Sequence, residues 1–157
     1  MDAVSVHGVS KEFDSKRAVD DLSFDVPAGS IFGLLGPNGS GKTTTIRMIL
    51  KILLPDRGTV RVLGRELDEE GKKKVGYLPE ERGLYKGMRV GEHLAFLGAL
   101  RGLSLGDARV RAQKWLTRFD AADWYGRRIQ ELSKGMQQKV QFIGTILHDP
   151  DLVILDE

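Results

Sequence analysis

The stretch Gly36-Pro-Asn-Gly-Ser-Gly-Lys-Thr-Thr44 constrains the fold of this chain more than any other segment. It follows a continuous apolar run at residues 31–35, which predicts a strand buried on both faces of a parallel sheet. Behind it, apolar residues recur at helical spacing until Pro55 and Gly58, at Ile46, Ile49, Leu50 and Leu53. This spacing predicts one buried helix face. The order strand, glycine loop, helix therefore points to an α/β core.

The loop also has the residues that a phosphate-binding turn needs. It matches GxxxxGK followed by Ser or Thr, because Gly36, Gly41, Lys42 and Thr43 occupy the required positions. Glycines let backbone N–H groups turn toward a phosphate, and the following helix N-terminus adds a positive dipole end. Lys42 can reach the phosphate oxygens and Thr43 can ligate magnesium. The predicted phosphate-contacting residues are Gly36, Pro37, Asn38, Gly39, Ser40, Gly41, Lys42, Thr43 and Thr44. The simpler alternative is a loop that only joins a strand to a helix.

A second apolar run, residues 152–155, ends in Asp156 and Glu157. A strand of this kind delivers its terminal carboxylates to the edge of a parallel sheet where ligands bind. Asp156 can hold magnesium through water, and Glu157 can orient or deprotonate the water that attacks a γ-phosphate. Taken alone, such a run is most often an ordinary strand end. Together with the glycine loop, it predicts the second half of one nucleotide site.

The remaining pattern predicts a hairpin followed by helices. Residues 4–13 and 18–26 show strand-like alternation on either side of a polar turn, and residues 59–63 and 75–78 are further short strands. Residues 64–74 are expected to form a loop or a short helix. Helices are predicted at residues 90–101, 107–119 and 136–147, and no strand-like run occurs between residues 83 and 128.

With these elements in place, the sequence resembles the nucleotide-binding domain of ABC (ATP-binding cassette) ATPases. Leu132-Ser-Lys-Gly-Met-Gln-Gln138 resembles the LSGGQ signature of that family, between the glycine loop and the acidic pair. The resemblance implies an α/β P-loop NTPase core with an N-terminal antiparallel β-subdomain and an inserted α-helical subdomain. It divides the chain into residues 1–83, 84–130 and 131–157. Against the family pattern the chain is expected to be truncated just after the acidic pair, without the C-terminal part of the domain.

The resemblance also assigns roles to individual residues. Ser133 and Gly135 match the signature, which in the family caps the γ-phosphate bound by the opposite subunit, whereas Lys134 and Met136 depart from it. Ser133 is equally expected as a helix N-cap. Glu80 stands where the family has a glutamine that senses magnesium and the attacking water.

Three sets of candidate residues result. The catalytic candidates are Glu157, Glu80 and Lys42, and the metal candidates are Thr43, Asp156 and Glu80. Phe13 stands at the position of the adenine-stacking aromatic residue of the family, although a core position is an equal alternative for it.

Composition excludes several classes of protein. The net charge is +2, from 24 basic and 22 acidic residues, which gives no basic footprint for nucleic acid. The absence of cysteine excludes a disulfide scaffold and a thiolate metal site, and indicates a reducing compartment. No signal peptide or membrane span is visible, so a soluble, unsecreted chain is expected. With no Cys or His partner at ligand spacing, His93 is expected to be a surface or groove residue.

The function implied by the resemblance is that of an ATP-binding and ATP-hydrolysing subunit that energises an ABC membrane transporter, of exporter type. ATP and magnesium (Mg²⁺) are the expected cofactors. A second copy, arranged head to tail, and transmembrane permease subunits are the expected partners, at the cytoplasmic face of the membrane. A truncated chain is expected to bind nucleotide through residues 36–44 and to hydrolyse it weakly if at all. The alternatives are a soluble ABC ATPase acting on ribosomes or nucleic acid, and a small P-loop kinase.

Overall fold

The computed structural model describes residues 2–80 and 83–156. The chain divides into two compact units, residues 1–72 and residues 73–157. Glu157, one of the predicted catalytic residues, lies outside the described residues. The division into segments 1–83, 84–130 and 131–157 stays a prediction.

A three-stranded antiparallel sheet forms most of the first unit. Strands β1 (Asp2–Phe13) and β2 (Lys16–Pro27) pair as a hairpin, and β3 (Arg57–Val62) pairs with the other edge of β1. The two residues of the hairpin turn, Asp14 and Ser15, have φ angles of 44° and 69°. Positive φ at both central positions is what a two-residue type I′ turn requires, so the predicted hairpin is confirmed.

Helix α1 (Lys42–Ile49) packs against β2 and β3 and is shorter than the apolar spacing predicts. The helix ends because Lys51 adopts a left-handed conformation, with φ of 53°. The N–H groups of Lys51 and Ile52 then donate to the carbonyls of Met48 and Arg47, which is the hydrogen-bond pattern of a Schellman cap. The predicted continuation to Leu53 is therefore wrong. Further along, α2 (Glu69–Lys72) is the short helix allowed for within residues 64–74.

The strand predicted at residues 31–35 is also wrong. These residues belong to no helix or strand, and Ile31 and Leu35 are almost fully exposed. A strand buried in a parallel sheet needs hydrogen-bonded neighbours. Within the described part of the chain, β1, β2 and β3 form one sheet and the strands of the second unit form another, and neither includes this segment. Its clearest contact is the ring of Phe32 stacked on Phe24, with 5.1 Å between centroids.

The second unit contains two parallel strands that pair with each other and are separated in the sequence by three helices. Strands β4 (Val75–Leu78) and β5 (Leu152–Leu155) pair in register, Val75 with Leu152 and Leu78 with Leu155. Between them lie α3 (Val90–Leu100), α4 (Leu105–Arg118) and α5 (Lys134–Ile146). Short 3₁₀ turns at Ala122–Trp124 and Ile129–Glu131 connect α4 to α5. The predicted helices and both strands are confirmed, with small differences at the helix ends.

Apolar side chains from all three helices and both 3₁₀ turns form the core of this second unit. Helix α4 supplies Ala112 and Leu116, and α5 with its C-cap supplies Val140, Ile143 and Leu147. Burial of these side chains fixes the start of α5, and with it the position of the signature residues.

Candidate functional site

The glycine loop of the first unit is exposed and tightly curved. Gly39 and Gly41 have φ angles of 79° and 93°, in the left-handed region that favours glycine. A Cβ at Gly41 would collide with the backbone carbonyl oxygen of Ala18 in β2. Glycine is therefore required at position 41 both by conformation and by the close approach of the loop to the sheet.

Lys42 lies inside the curve of this loop. Its Nζ donates to the carbonyl oxygen of Gly36 at 2.6 Å and to that of Pro37 at 2.8 Å. The helix that Lys42 begins has no acidic residue in its first turn, and its N-cap, Gly41, has no side chain that could cap it. The positive end of the helix dipole and an ammonium group thus face the same loop, which suits an anionic oxygen ligand. The role of the loop as a phosphate cradle stays a prediction.

Phe13 lies at the end of the β1–β2 hairpin and is not part of the core. Its side chain is 44% exposed, and Nζ of Lys11 lies 5.6 Å from the ring centroid. The core alternative therefore does not hold for Phe13, whose ring is accessible to a ligand. Its role as an adenine-stacking residue stays a prediction.

In the second unit, the carboxyl ends of β4 and β5 bring two predicted residues to the same edge. Asp156 directly follows β5 and is 6% exposed, and its N–H donates to the carbonyl of Leu78 at 2.9 Å. The hydroxyl of Tyr77 donates to Oδ2 of Asp156 at 3.4 Å. Glu80 lies two residues beyond β4 and is exposed. This edge therefore carries the buried carboxylate of Asp156 and the exposed carboxylate of Glu80.

The signature residues begin α5. Ser133 is the N-cap, and its Oγ accepts a hydrogen bond from the N–H of Met136 at 3.3 Å, which confirms the predicted capping role. Ser133, Lys134 and Gly135 are all exposed, so the turn presents a hydroxyl and backbone amides to solvent. Such a helix start can contact a phosphate supplied from outside the unit.

Gln137 is a supporting residue that the sequence pattern does not reveal. Its Nε2 donates to the carbonyl oxygens of Ile129 at 3.2 Å and Leu132 at 3.1 Å. One side chain thus ties the 3₁₀ turn before the signature to the first turn of α5. Met136 occupies the position of the glutamine in the family signature. The signature pattern therefore gives no indication of a role for the next residue, Gln137.

His93 departs from the expectation of a surface position. Its side chain is fully buried on α3, and neither ring nitrogen has a hydrogen-bond partner among residues 2–80 and 83–156. Burial lowers its pKa to about 4. His93 nevertheless lines a groove of about 300 Å³, together with His148, Arg101, Gln141 and Thr145. The groove part of the expectation therefore holds, whereas exposure on the surface does not.

Magnesium fits the donor chemistry of the predicted residues. A hydroxyl on Thr43 and carboxylates on Asp156 and Glu80 are oxygen donors, which this cation prefers. No group of three or more His, Cys, Asp or Glu side chains that could hold a metal occurs in the described part of the chain. A magnesium ion held by any one of these residues would therefore keep water or phosphate oxygens in its coordination shell.

Comparison with known proteins identifies the family. The profile of the ABC transporter family matches residues 19–157. The uncharacterized ABC transporter ATP-binding protein YhaQ of Bacillus subtilis is 46% identical over 154 residues, covering 98% of this chain and 52% of YhaQ. The Nod factor export ATP-binding protein I of Paraburkholderia xenovorans is 37% identical over 158 residues, covering 99% of this chain and 52% of its own length. The chain therefore belongs to the ABC transporter family of ATP-binding proteins.

A solved structure agrees with this assignment. An ATP-binding subunit of an ABC transporter superposes with a TM-score of 0.88 at 31% identity, covering 99% of this chain and 66% of that one. The predicted α/β fold of ABC ATPase type is thereby confirmed. The chain spans about half the length of the curated relatives it matches. Across the described residues, no helix has the length and apolar character needed to cross a bilayer.

Proposed function

We propose that this chain binds and hydrolyses ATP in the presence of magnesium and thereby energises export through a separate membrane permease. The observation that carries the proposal is the loop at residues 36–44, curved around the ammonium group of Lys42 at an uncapped helix start. The export function of a relative, the Nod factor export ATP-binding protein I, supports the direction of transport.

In the first unit, the loop receives the phosphates and Phe13 receives the base. Lys42 exchanges its two carbonyl acceptors, on Gly36 and Pro37, for phosphate oxygens, while the N-terminal dipole of α1 adds to the attraction. The exposed ring of Phe13 offers a face on which adenine can stack. Lys42 also stabilises the negative charge that develops during phosphoryl transfer.

Thr43, Asp156 and Glu80 are the residues that would hold magnesium. The metal supplies charge neutralisation at the phosphate oxygens when bound. Glu157 acts as the base that orients or deprotonates the attacking water. Glu80 stands in place of the family's glutamine. Its carboxylate adds a negative charge near the attacking water and the metal.

Ser133 and Gly135 are proposed to contact the γ-phosphate held by a second copy of the chain, in a head-to-tail pair. Their exposure at the start of α5 supports this assignment. A permease subunit docks on the helical part of the chain, which places the protein at the cytoplasmic face of the membrane. Closure of the two copies around ATP would then be transmitted to the permease.

Calorimetric titration with magnesium ATP tests the core of the proposal. Lys42→Ala is expected to weaken binding by about tenfold or more, because it removes the one charged donor inside the loop. Lys72→Ala, at the end of α2 in the same unit and outside both the loop and the β1–β2 hairpin, is the matched control and should bind as the unmodified chain does. Equal binding by Lys42→Ala and the unmodified chain would overturn the proposal.

The transport role is tested by isolating the tagged chain from its own cell. Copurification with an integral membrane protein is the expected result. Recovery with ribosomes or nucleic acid, and without any membrane protein, would instead support the soluble ABC alternative.

A further inference from the structure

Asp56, the residue directly before β3, makes three hydrogen bonds to the end of β1. Its Oδ1 accepts from Nζ of Lys11 at 2.7 Å, and its Oδ2 accepts from the N–H of Glu12 at 2.8 Å. Its own N–H donates to the carbonyl of Ser10 at 2.9 Å. These hydrogen bonds to Lys11 and Glu12 lower the pKa of Asp56, so its carboxylate is charged at neutral pH.

The Asp56 carboxylate takes the place of a missing strand neighbour. Pairing between β1 and β3 ends at Ser10 and Arg57, and among residues 2–80 and 83–156 the segment beyond Ser10 pairs only with β2. Register shifts on both sides of Lys11 show that this end of β1 is irregular. A backbone N–H at a strand edge without a neighbouring strand is otherwise left to solvent. Here the N–H of Glu12 donates to the carboxylate of Asp56 instead.

The position of Asp56 is itself fixed by a close backbone approach. Gly58, two residues further on, has φ of 83°, and a Cβ there would collide with the backbone carbonyl of Gly8. The start of β3 thus lies directly against β1. Asp56 is held within reach of Lys11 by the sheet itself.

Lys11 connects Asp56 to the ring of Phe13. Its side chain is only 15% exposed, although it carries a charge, and its Nζ lies both at the Asp56 carboxylate and 5.6 Å from the ring centroid. An ammonium group at this distance is attracted to an aromatic face. One face of Phe13 is therefore occupied by a lysine that Asp56 anchors.

We propose that Asp56 is a positioning residue for the nucleobase: it anchors Lys11 against one face of Phe13 and fixes the adjoining backbone, so that the base stacks on the opposite face. This inference rests on the proposed function, in which Phe13 receives adenine. Asp56 does not touch the nucleotide, and it acts only on the base and not on the phosphates.

The test separates base from phosphate binding by titrating each variant with magnesium ATP and with magnesium tripolyphosphate, which lacks a base. Asp56→Ala is expected to weaken ATP binding by about fivefold, a fraction of what a lost base stack costs, and to leave tripolyphosphate binding unchanged. Asp56→Asn keeps an acceptor for Glu12 but loses the charge for Lys11, so an intermediate effect is expected. Asp20→Ala removes a comparable ion pair, with Arg17, and serves as the matched control.

A double-mutant cycle with Phe13→Ala completes the test. If Asp56 acts through Phe13, adding Asp56→Ala to Phe13→Ala has no further effect on ATP binding. Three results would each overturn this inference alone. The first is that Asp56→Ala weakens ATP binding as much in the Phe13→Ala background as in the unmodified chain, and the second is that it weakens tripolyphosphate binding as much as ATP binding. The third is that Asp56→Ala and Asp56→Asn both bind ATP as the unmodified chain does. Failure of the unmodified chain to bind either ligand would overturn the proposed function and this inference with it. If Asp56→Ala does not fold, Asp56→Asn and Lys11→Met carry the same comparison.

Discussion

The buried ring of His93 lies against the ring of Tyr85, with 5.8 Å between their centroids and an interplanar angle of 61°. Tyr85 in turn contacts Phe96, with 5.7 Å between ring centroids. An aromatic neighbour gives the imidazole packing contacts but accepts no conventional hydrogen bond from it. The neutral ring is therefore the favoured form, because protonation would place a charge on a side chain that is buried away from water.

The folded chain should lose stability in mild acid because of His93. The unfolded chain protonates His93 near its ordinary pKa of 6.5, whereas the folded chain does so only at about 4. The free energy of unfolding should thus fall as the pH drops through this window, by about 2 kcal/mol between pH 7 and pH 5 for this residue. Urea denaturation at several pH values measures this change in the free energy of unfolding.

A matched pair of variants isolates the contribution of His93. His93→Leu should lose less stability between pH 7 and pH 5 than the unmodified chain, because leucine does not titrate. His7→Leu removes an exposed histidine in the first unit and should retain the loss. An identical pH dependence in all three proteins would contradict the prediction.

Gly41→Ala should be more damaging than Gly39→Ala. Both residues have positive φ, so alanine at either position costs about 1 to 2 kcal/mol in backbone strain. At Gly41 the new methyl group also collides with the carbonyl of Ala18, whereas nothing lies within 4 Å of a Cβ at Gly39. Gly41→Ala is therefore expected to lower the midpoint of thermal unfolding further and to weaken ATP binding more. Equal effects of the two substitutions would show that the contact with β2 is unimportant.

Contiguous patterns account for most of what the sequence could predict. The hairpin, β4, β5 and the helix that Ser133 caps are set by local periodicity and by turn residues, and the structure has them within a few residues of the predicted bounds. The glycine loop could be recognised in full because all of its residues are adjacent in sequence. The predicted strand at residues 31–35 failed because a strand also depends on neighbours that its own pattern does not specify.

The supporting residues could not be predicted because their partners are distant or unremarkable. Asp56 reaches Lys11 and Glu12 from 45 and 44 positions away, and no spacing rule connects them. The burial of His93 depends on how α3 packs in three dimensions, since a single histidine among apolar residues gives no sign of its depth. Gln137 bonds to main-chain carbonyls, which every residue possesses, so its partners leave no trace in the sequence.

Gln137→Ala should destabilise the second unit, whereas Gln138→Ala should not. Gln137 donates two hydrogen bonds to main-chain carbonyls, and their loss is expected to cost about 2 kcal/mol. Gln138, the next residue on α5, is exposed and offers a control of the same side-chain chemistry. Chemical denaturation followed by circular dichroism compares the two. A loss of similar size in both variants would contradict the structural role of Gln137.

The exposed apolar residues of segment 31–35 should make the chain self-associate. Ile31 and Leu35 are almost fully exposed, so water contacts large apolar surfaces on a segment that joins neither sheet of the described residues. Replacing both with lysine should raise the monomer fraction in sedimentation velocity runs over a range of concentrations. Because these side chains pack against little, the free energy of unfolding should change by less than about 0.5 kcal/mol. Gln113→Lys combined with Gln138→Lys, at exposed polar positions of α4 and α5, is the control for two added charges alone. If it raises the monomer fraction as much as the substitutions of Ile31 and Leu35, the association depends on net charge and not on this segment.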